Sequence, residues 1–285
     1  MTCSKIILVL AGCFAAQLAA QSGSRGIVPE AVLQARPQPT ATAQTTAPKY
    51  VPQTAAAPVA RLGARQLGVT IWRLRSATAQ DTGARILVQE EAGTTTLVPE
   101  RVSSTTSLQP GDKLRLTFES PEKGYLYVID RERYANGERG TPYLIFPTAR
   151  TRGGDNRVSA GKIIDIPGQD DRPNFFTMRK SRTDQAEEEI TVLLTPKPLE
   201  GVEIGPSALT LSPEQVDGWK KQWEAKAETF ELSGGAGKTW TAVEQRAAAD
   251  ATRSLTQDDP APQTVYGVRT GPGDPMLVTV RLRYK

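Results

Sequence analysis

The 285-residue sequence contains no histidine. Ser-His-Asp and Cys-His nucleophile systems draw their base from imidazole, so both are excluded. Zinc sites built on histidine are excluded with them. Cysteine is almost as scarce: Cys3 and Cys13 both fall within the first twenty residues, so neither a thiolate metal site nor a disulfide is available to the rest of the chain. Beyond those first twenty residues, no stretch approaches the roughly 20 apolar residues that a membrane-spanning helix needs. Carboxylates are the reactive groups that remain. Asp170 with Asp171, or Asp130 with Glu132, are the candidate acid pairs for glycoside hydrolysis or Ca²⁺ binding. Asp170 to Asn174 lacks the alternating oxygen-ligand spacing of a calcium loop, and a solvated surface loop is the simpler reading. No metal or cofactor is implied.

What is present begins with an export pattern. Met1 to Ala20 combines Lys5, an apolar run from Ile6 to Ala16, and a small-residue end at Leu18-Ala19-Ala20, as a cleavable signal does. Leu10-Ala11-Gly12-Cys13 offers an alternative, in which Cys13 is lipidated and the protein is membrane-anchored. Both place the protein outside the cytoplasm, in the periplasm or beyond. Gln21 to Gln66 is rich in Ala, Pro, Gln and Thr, has Tyr50 as its lone aromatic, and shows no apolar period. Such a segment buries too little surface to offset its ordering entropy, so residues 21–66 are expected to form a disordered spacer. It holds Arg25, Arg36, Lys49, Arg61 and Arg65 against Glu30, which concentrates the net charge of +4 in the leader and leaves the remainder near neutral. A near-neutral exported domain is a poor nucleic-acid binder, despite basic residues interleaved with Tyr125, Tyr127 and Tyr134.

From Leu67 to Lys285 the sequence reads as one strand-rich domain. Lys113 to Glu119 alternates strictly, with Leu114, Leu116 and Phe118 on one face. Tyr125 to Asp130 is apolar on both faces, which predicts a central strand covered on each side. Asn136-Gly137 marks a hairpin turn. Tyr143 to Phe146 and Lys162 to Ile166 are further strands, each stopped by proline. This set of Gly124-Tyr125-Leu126-Tyr127-Val128-Ile129-Asp130, Leu144-Ile145-Phe146-Pro147, Asn156-Arg157-Val158 with Ala160-Gly161, and Ile164-Asp165-Ile166-Pro167 resembles the bacterial domain of unknown function 4384. Ile190 to Leu194 would be its closing strand, giving a family-like core over residues 110–198. The resemblance implies an antiparallel β-sandwich (Ig-like or related) in an exported, stand-alone member, and it brings no catalytic residues.

Strands are also expected at Val69–Arg75, Arg85–Gln89 and Thr94–Val98 before this core. After it comes a helical segment over 212–255. Ser212-Pro213-Glu214-Gln215 is a capping pattern. Val216, Trp219, Trp223, Ala227 and Phe230 follow at helical spacing, a stripe that reads as core more readily than as a ligand platform. Ala242 to Arg253 is a second short helix, and closing strands occupy 264–285. Gly234-Gly235-Ala236-Gly237-Lys238-Thr239 mimics a phosphate-binding loop, but Leu232 stands where the first glycine is required, so a linker between helices is expected. Ser159 with Lys162 and Ser120 with Lys123 match a serine-lysine spacing without its supporting elements. The sequence therefore points to a non-enzymatic envelope module that binds a protein or polysaccharide, with exposed members of Tyr125, Tyr127 and Tyr134 as the speculative binding residues. The alternative is a carboxylate-dependent hydrolase of envelope polymers.

Overall fold

The computed structural model describes residues 30–39, 64–90, 93–250, 253–271 and 273–285. The expected signal at 1–20, Cys13 and most of the spacer lie outside them. In chain order the elements are α1 (Glu30–Ala35), β1 (Ala64–Ser76), β2 (Ile86–Glu90), β3 (Gly93–Val102), β4 (Lys113–Glu119), β5 (Gly124–Tyr134), β6 (Tyr143–Phe146), β7 (Arg157–Val158), β8 (Ile163–Ile166), β9 (Phe176–Thr177), β10 (Gln185–Thr195), β11 (Leu209–Thr210), α2 (Pro213–Trp223), β12 (Ala227–Glu231), α3 (Ala242–Ala249), β13 (Thr264–Arg269) and β14 (Met276–Arg283).

Two antiparallel sheets pack face to face as a β-sandwich. One is centred on β1, whose long edge pairs first with β13 and then with β3, while β4 lies along its other edge. The second runs β11-β6-β5-β10-β14. Alternation decides what enters the interface. Leu67, Val69 and Ile71 of β1 and Leu114, Leu116 and Phe118 of β4 meet Leu126, Val128, Ile190, Val192 and Val278 from the opposite sheet. The other face of β5 is also covered: Tyr127 and Ile129 pack with Leu193, Leu277, Leu211 and Val216 beneath α2. The two-sided apolar pattern of β5 thus marks a central strand, as expected.

The helical segment departs from expectation after Trp223. Ser212 caps α2 by accepting from the Gln215 N–H, and Glu224 closes it through a backbone bond to Lys220. Ala227 to Glu231 then forms β12 instead of continuing the apolar stripe, because the open edge of β13 offers it a ladder from Val268 to Thr264. Trp219 and Trp223 are stacked at 6.1 Å and half-buried against the cluster under α2. The phosphate-loop mimic is not a linker between helices. It follows β12, and residues 237–240 bond along β3 through Arg101 and Pro99.

The outer face of the β1 sheet is buried too, and here the disordered-spacer expectation fails for residues 30–39. Val32 of α1 is fully buried. The Arg36 guanidinium uses all five donors: two on the Glu119 carboxylate at 2.7 Å, and one each on the carbonyls of Thr256, Asp259 and Pro260, with Thr256 and Asp259 sharing one nitrogen. Gly161 admits this strap, since its φ of 75° and a Cβ only 2.8 Å from Pro37 would penalise any side chain. Beside it, Arg101 lies over Trp72 and Arg115 over Trp240, with the two indoles 6.0 Å apart. Arg101 pairs with Glu244 of α3, and Arg115 with Asp165 at 3.0 Å. Only about 10 Å³ of space remains in this layer, room for a single water.

Candidate functional site

A groove of about 340 Å³ opens where β2, the 169–174 loop and α3 meet. Its volume falls in the range of small-ligand sites. Side-chain amides build its wall. The Asn174 amide nitrogen donates to the carbonyls of Leu87 (3.0 Å) and Gln169 (3.2 Å). The Gln169 amide nitrogen donates to the Gln245 carbonyl (2.7 Å), and the Gln245 amide nitrogen donates to the Arg85 carbonyl (2.9 Å). A backbone carbonyl can only accept, so each amide is oriented with its nitrogen inward and its oxygen left over. Asn174 is 2% exposed, and among the described residues its Oδ1 has no partner. Arg85, Asp170 and Thr94 add a cation, a carboxylate and a hydroxyl to the rim, and Leu87, 65% exposed, is the apolar surface.

A second grouping lies at one end of the sandwich. Asp130 and Glu132 of β5 and Glu188 of β10 share the inward face, and Glu188 stands directly opposite Glu132. The Tyr134 hydroxyl donates to Glu132. The Gln185 amide and the Tyr284 hydroxyl both donate to Glu188 Oε1, at 2.8 and 3.0 Å. Among the described residues Asp130 Oδ1 and Glu188 Oε2 are buried without partners. Burial, followed by the charge of Glu132, pushes the Asp130 carboxyl up to about 7. Burial, followed by the charge of Asp130, pushes Glu188 up to about 8. Tyr284 is raised in turn by its own burial and then by the charge of Glu188. A carboxylic acid kept neutral beside a carboxylate is what glycoside hydrolysis needs. Neither orphan oxygen reaches the groove, however, and among the described residues the groove holds a single carboxylate, Asp170.

The remaining candidates are dispersed. Tyr127 is buried, and its hydroxyl accepts from the Leu199 N–H. Tyr134 is buried with the Arg182 guanidinium 4.0 Å from its ring centre, and Tyr125 packs half-buried under α2. They do not form an exposed aromatic surface: α2 roofs Tyr125 and Tyr127, and Tyr134 is buried on the other face of β5. The Asp171 carboxylate accepts from the Gly168 N–H and the Thr151 hydroxyl, which makes it a loop brace, while Asp170 alone reaches the groove. Lys162 donates to the Arg253 carbonyl, and Ser120 to that of Glu122, so neither serine meets its lysine. Among the described residues no group of three or more acidic, histidine or cysteine side chains has metal-binding geometry. The groove escaped sequence reading because its parts come from three separated segments; Asn174 and Gln169 look like ordinary loop residues.

Residues 107–198 match the family described as domain of unknown function, DUF4384, over about a third of the chain. This segment is a DUF4384 domain. It supplies β4 through β10, and with them the entire acidic group. The groove straddles its border: Gln169, Asp170 and Asn174 belong to the DUF4384 domain, whereas β2 and α3 are additions around it. No curated protein and no solved structure shows significant similarity to the chain.

Proposed function

We propose that this protein is an exported, non-enzymatic β-sandwich module that holds a component of the bacterial cell envelope, a protein or a polysaccharide, in the groove beside β2. The observation that carries this reading is the groove itself: preformed, open and lined by oriented hydrogen-bonding groups. The leader supports export. Met1 to Ala20 has the composition of a signal, and lipidation at Cys13 would instead leave the module membrane-anchored. The test is capture from an envelope extract on the immobilised full chain, with Arg85→Ala and Gln245→Met as controls. Capture lost in those variants is the expected result. A chain that retains no envelope component and binds no glycan would sink the reading. The hydrolase alternative draws on the raised Asp130–Glu188 pair. It would be favoured by turnover of envelope polymers that disappears in Asp130→Asn.

A further inference from the structure

The groove's polarity narrows what it can hold. The amide nitrogens of Asn174, Gln169 and Gln245 are committed to backbone carbonyls, which leaves their oxygens as the acceptors they can offer, and among the described residues Asn174 Oδ1 is buried without a partner. Asp170 adds carboxylate acceptors. The groove is thus rich in acceptors, and the buried Oδ1 of Asn174 beneath it carries the desolvation cost of an unmade bond. Among the described lining residues Arg85 and Arg172 outnumber Asp170, which disfavours cationic donors.

An added peptide strand fits poorly as well. Strand addition needs free carbonyls along the sheet edge. Those of Arg85 and Leu87 are already taken by Gln245 and Asn174. A hydroxyl donates and accepts through one oxygen, so it can bridge an amide oxygen and a guanidinium at once. We infer that the groove is a saccharide site, in which ring hydroxyls engage Gln169, Gln245, Asp170 and Arg85 while a sugar's apolar face rests on Leu87 and Asn174 braces the wall beneath. This rests on the binding-module reading above and selects polysaccharide from its two partner classes.

The test is a titration of the full chain with cello-, chito- and polyuronate oligosaccharides, read by calorimetry and by the side-chain amide NMR signal of Asn174. At least one series should bind and shift that signal. Gln245→Met and Arg85→Ala should each weaken binding by about tenfold, the effect of losing one to two net hydrogen bonds. The unfolding midpoint of each variant, measured alongside, separates lost contacts from lost fold. Asp170→Asn, which keeps an acceptor, should bind within about threefold of the parent. The inference is overturned if no series binds, or if binding is indifferent to both groove variants. Groove-dependent capture of a protein with no saccharide binding would also overturn it, while leaving the binding-module reading standing.

Discussion

Glu187, Glu188 and Glu189 are consecutive on β10, and alternation sends them to opposite faces. Glu187 and Glu189 point outward into cations. Arg281 lies 2.6 Å from Glu187, with Arg133 and Arg283 at 3.7 Å. Lys220 of α2 lies 2.5 Å from Glu189, with Arg133 and Arg281 just beyond. Burial works to raise the Glu189 carboxyl, but the Lys220 hydrogen bond and charge overcome it and hold the group below its ordinary value. Glu188 points inward, where it meets Asp130 and Glu132 and, among the described residues, no cation pairs with it. The same side chain on the same strand is therefore a structural anion on one face and a titrating acid on the other. Burial is common to both faces; the presence of a facing cation separates them.

The largest effect tests the anion. Lys220→Ala leaves Glu189 buried with only distant cations, and truncating one partner of a buried pair costs about 3 kcal/mol or more. For a domain of this size that lowers Tm by roughly 6–12 °C. Denaturant unfolding at pH 7 measures it. A loss under about 1 kcal/mol would mean that Arg133 and Arg281 suffice, and that α2 contributes packing alone.

The next effect tests the acid. Asp130 and Glu188 have folded values raised above their unfolded ones, so the folded protein binds their protons more tightly. Below about pH 4 both states are protonated and the contribution to stability is complete; it is lost as pH rises through about 7 and 8. Stability should therefore decline from pH 4 to 8.5 as the unfolded chain gives up these protons before the folded protein does. Glu132 is the acid that faces the pair, and the other surrounding side chains, Tyr134, Gln185 and Tyr284, are neutral across that window. Asp130→Asn should flatten the slope and be more stable than the parent at pH 8.5. An unchanged slope in this variant would show that the group does not titrate as a unit.

Strict alternation made this contrast legible in part. Leu114, Leu116 and Phe118 announced an inward face of β4, and the two-sided pattern of β5 announced its cover. The acid group was half visible, since Asp130 and Glu132 stand two apart on one strand. Glu188 joined them only through the register of β5 with β10, which no local pattern encodes. Within residues 227–231 the helical spacing of Ala227 and Phe230 was real, but β13 offered backbone bonds that outweighed it. Residues 30–39 failed for a related reason. A six-residue helix in an Ala- and Pro-rich leader has little propensity of its own. Its order comes from Glu119, more than eighty residues away, receiving Arg36.

The smallest effect isolates partnering from burial. Asp155 accepts from the Arg157 side chain at 2.8 and 2.9 Å, and this holds its carboxyl down to about 2. The geometry rivals that of Glu189, yet the Arg157 side chain is 73% exposed. Water screens such a pair and the side chains lose entropy in forming it, so Asp155→Asn should cost less than about 0.5 kcal/mol at pH 7. The depressed value means that whatever contribution exists is present above the unfolded range and lost as pH falls through about 2, outside the window in which Asp130 and Glu188 act. An NMR titration of Asp155 beside the unfolding midpoint of the variant reads both quantities. A depressed value with no stability change would confirm that a cation sets the charge state while burial sets its energetic weight. A loss above about 1 kcal/mol would make the two faces of β10 differ by partner alone.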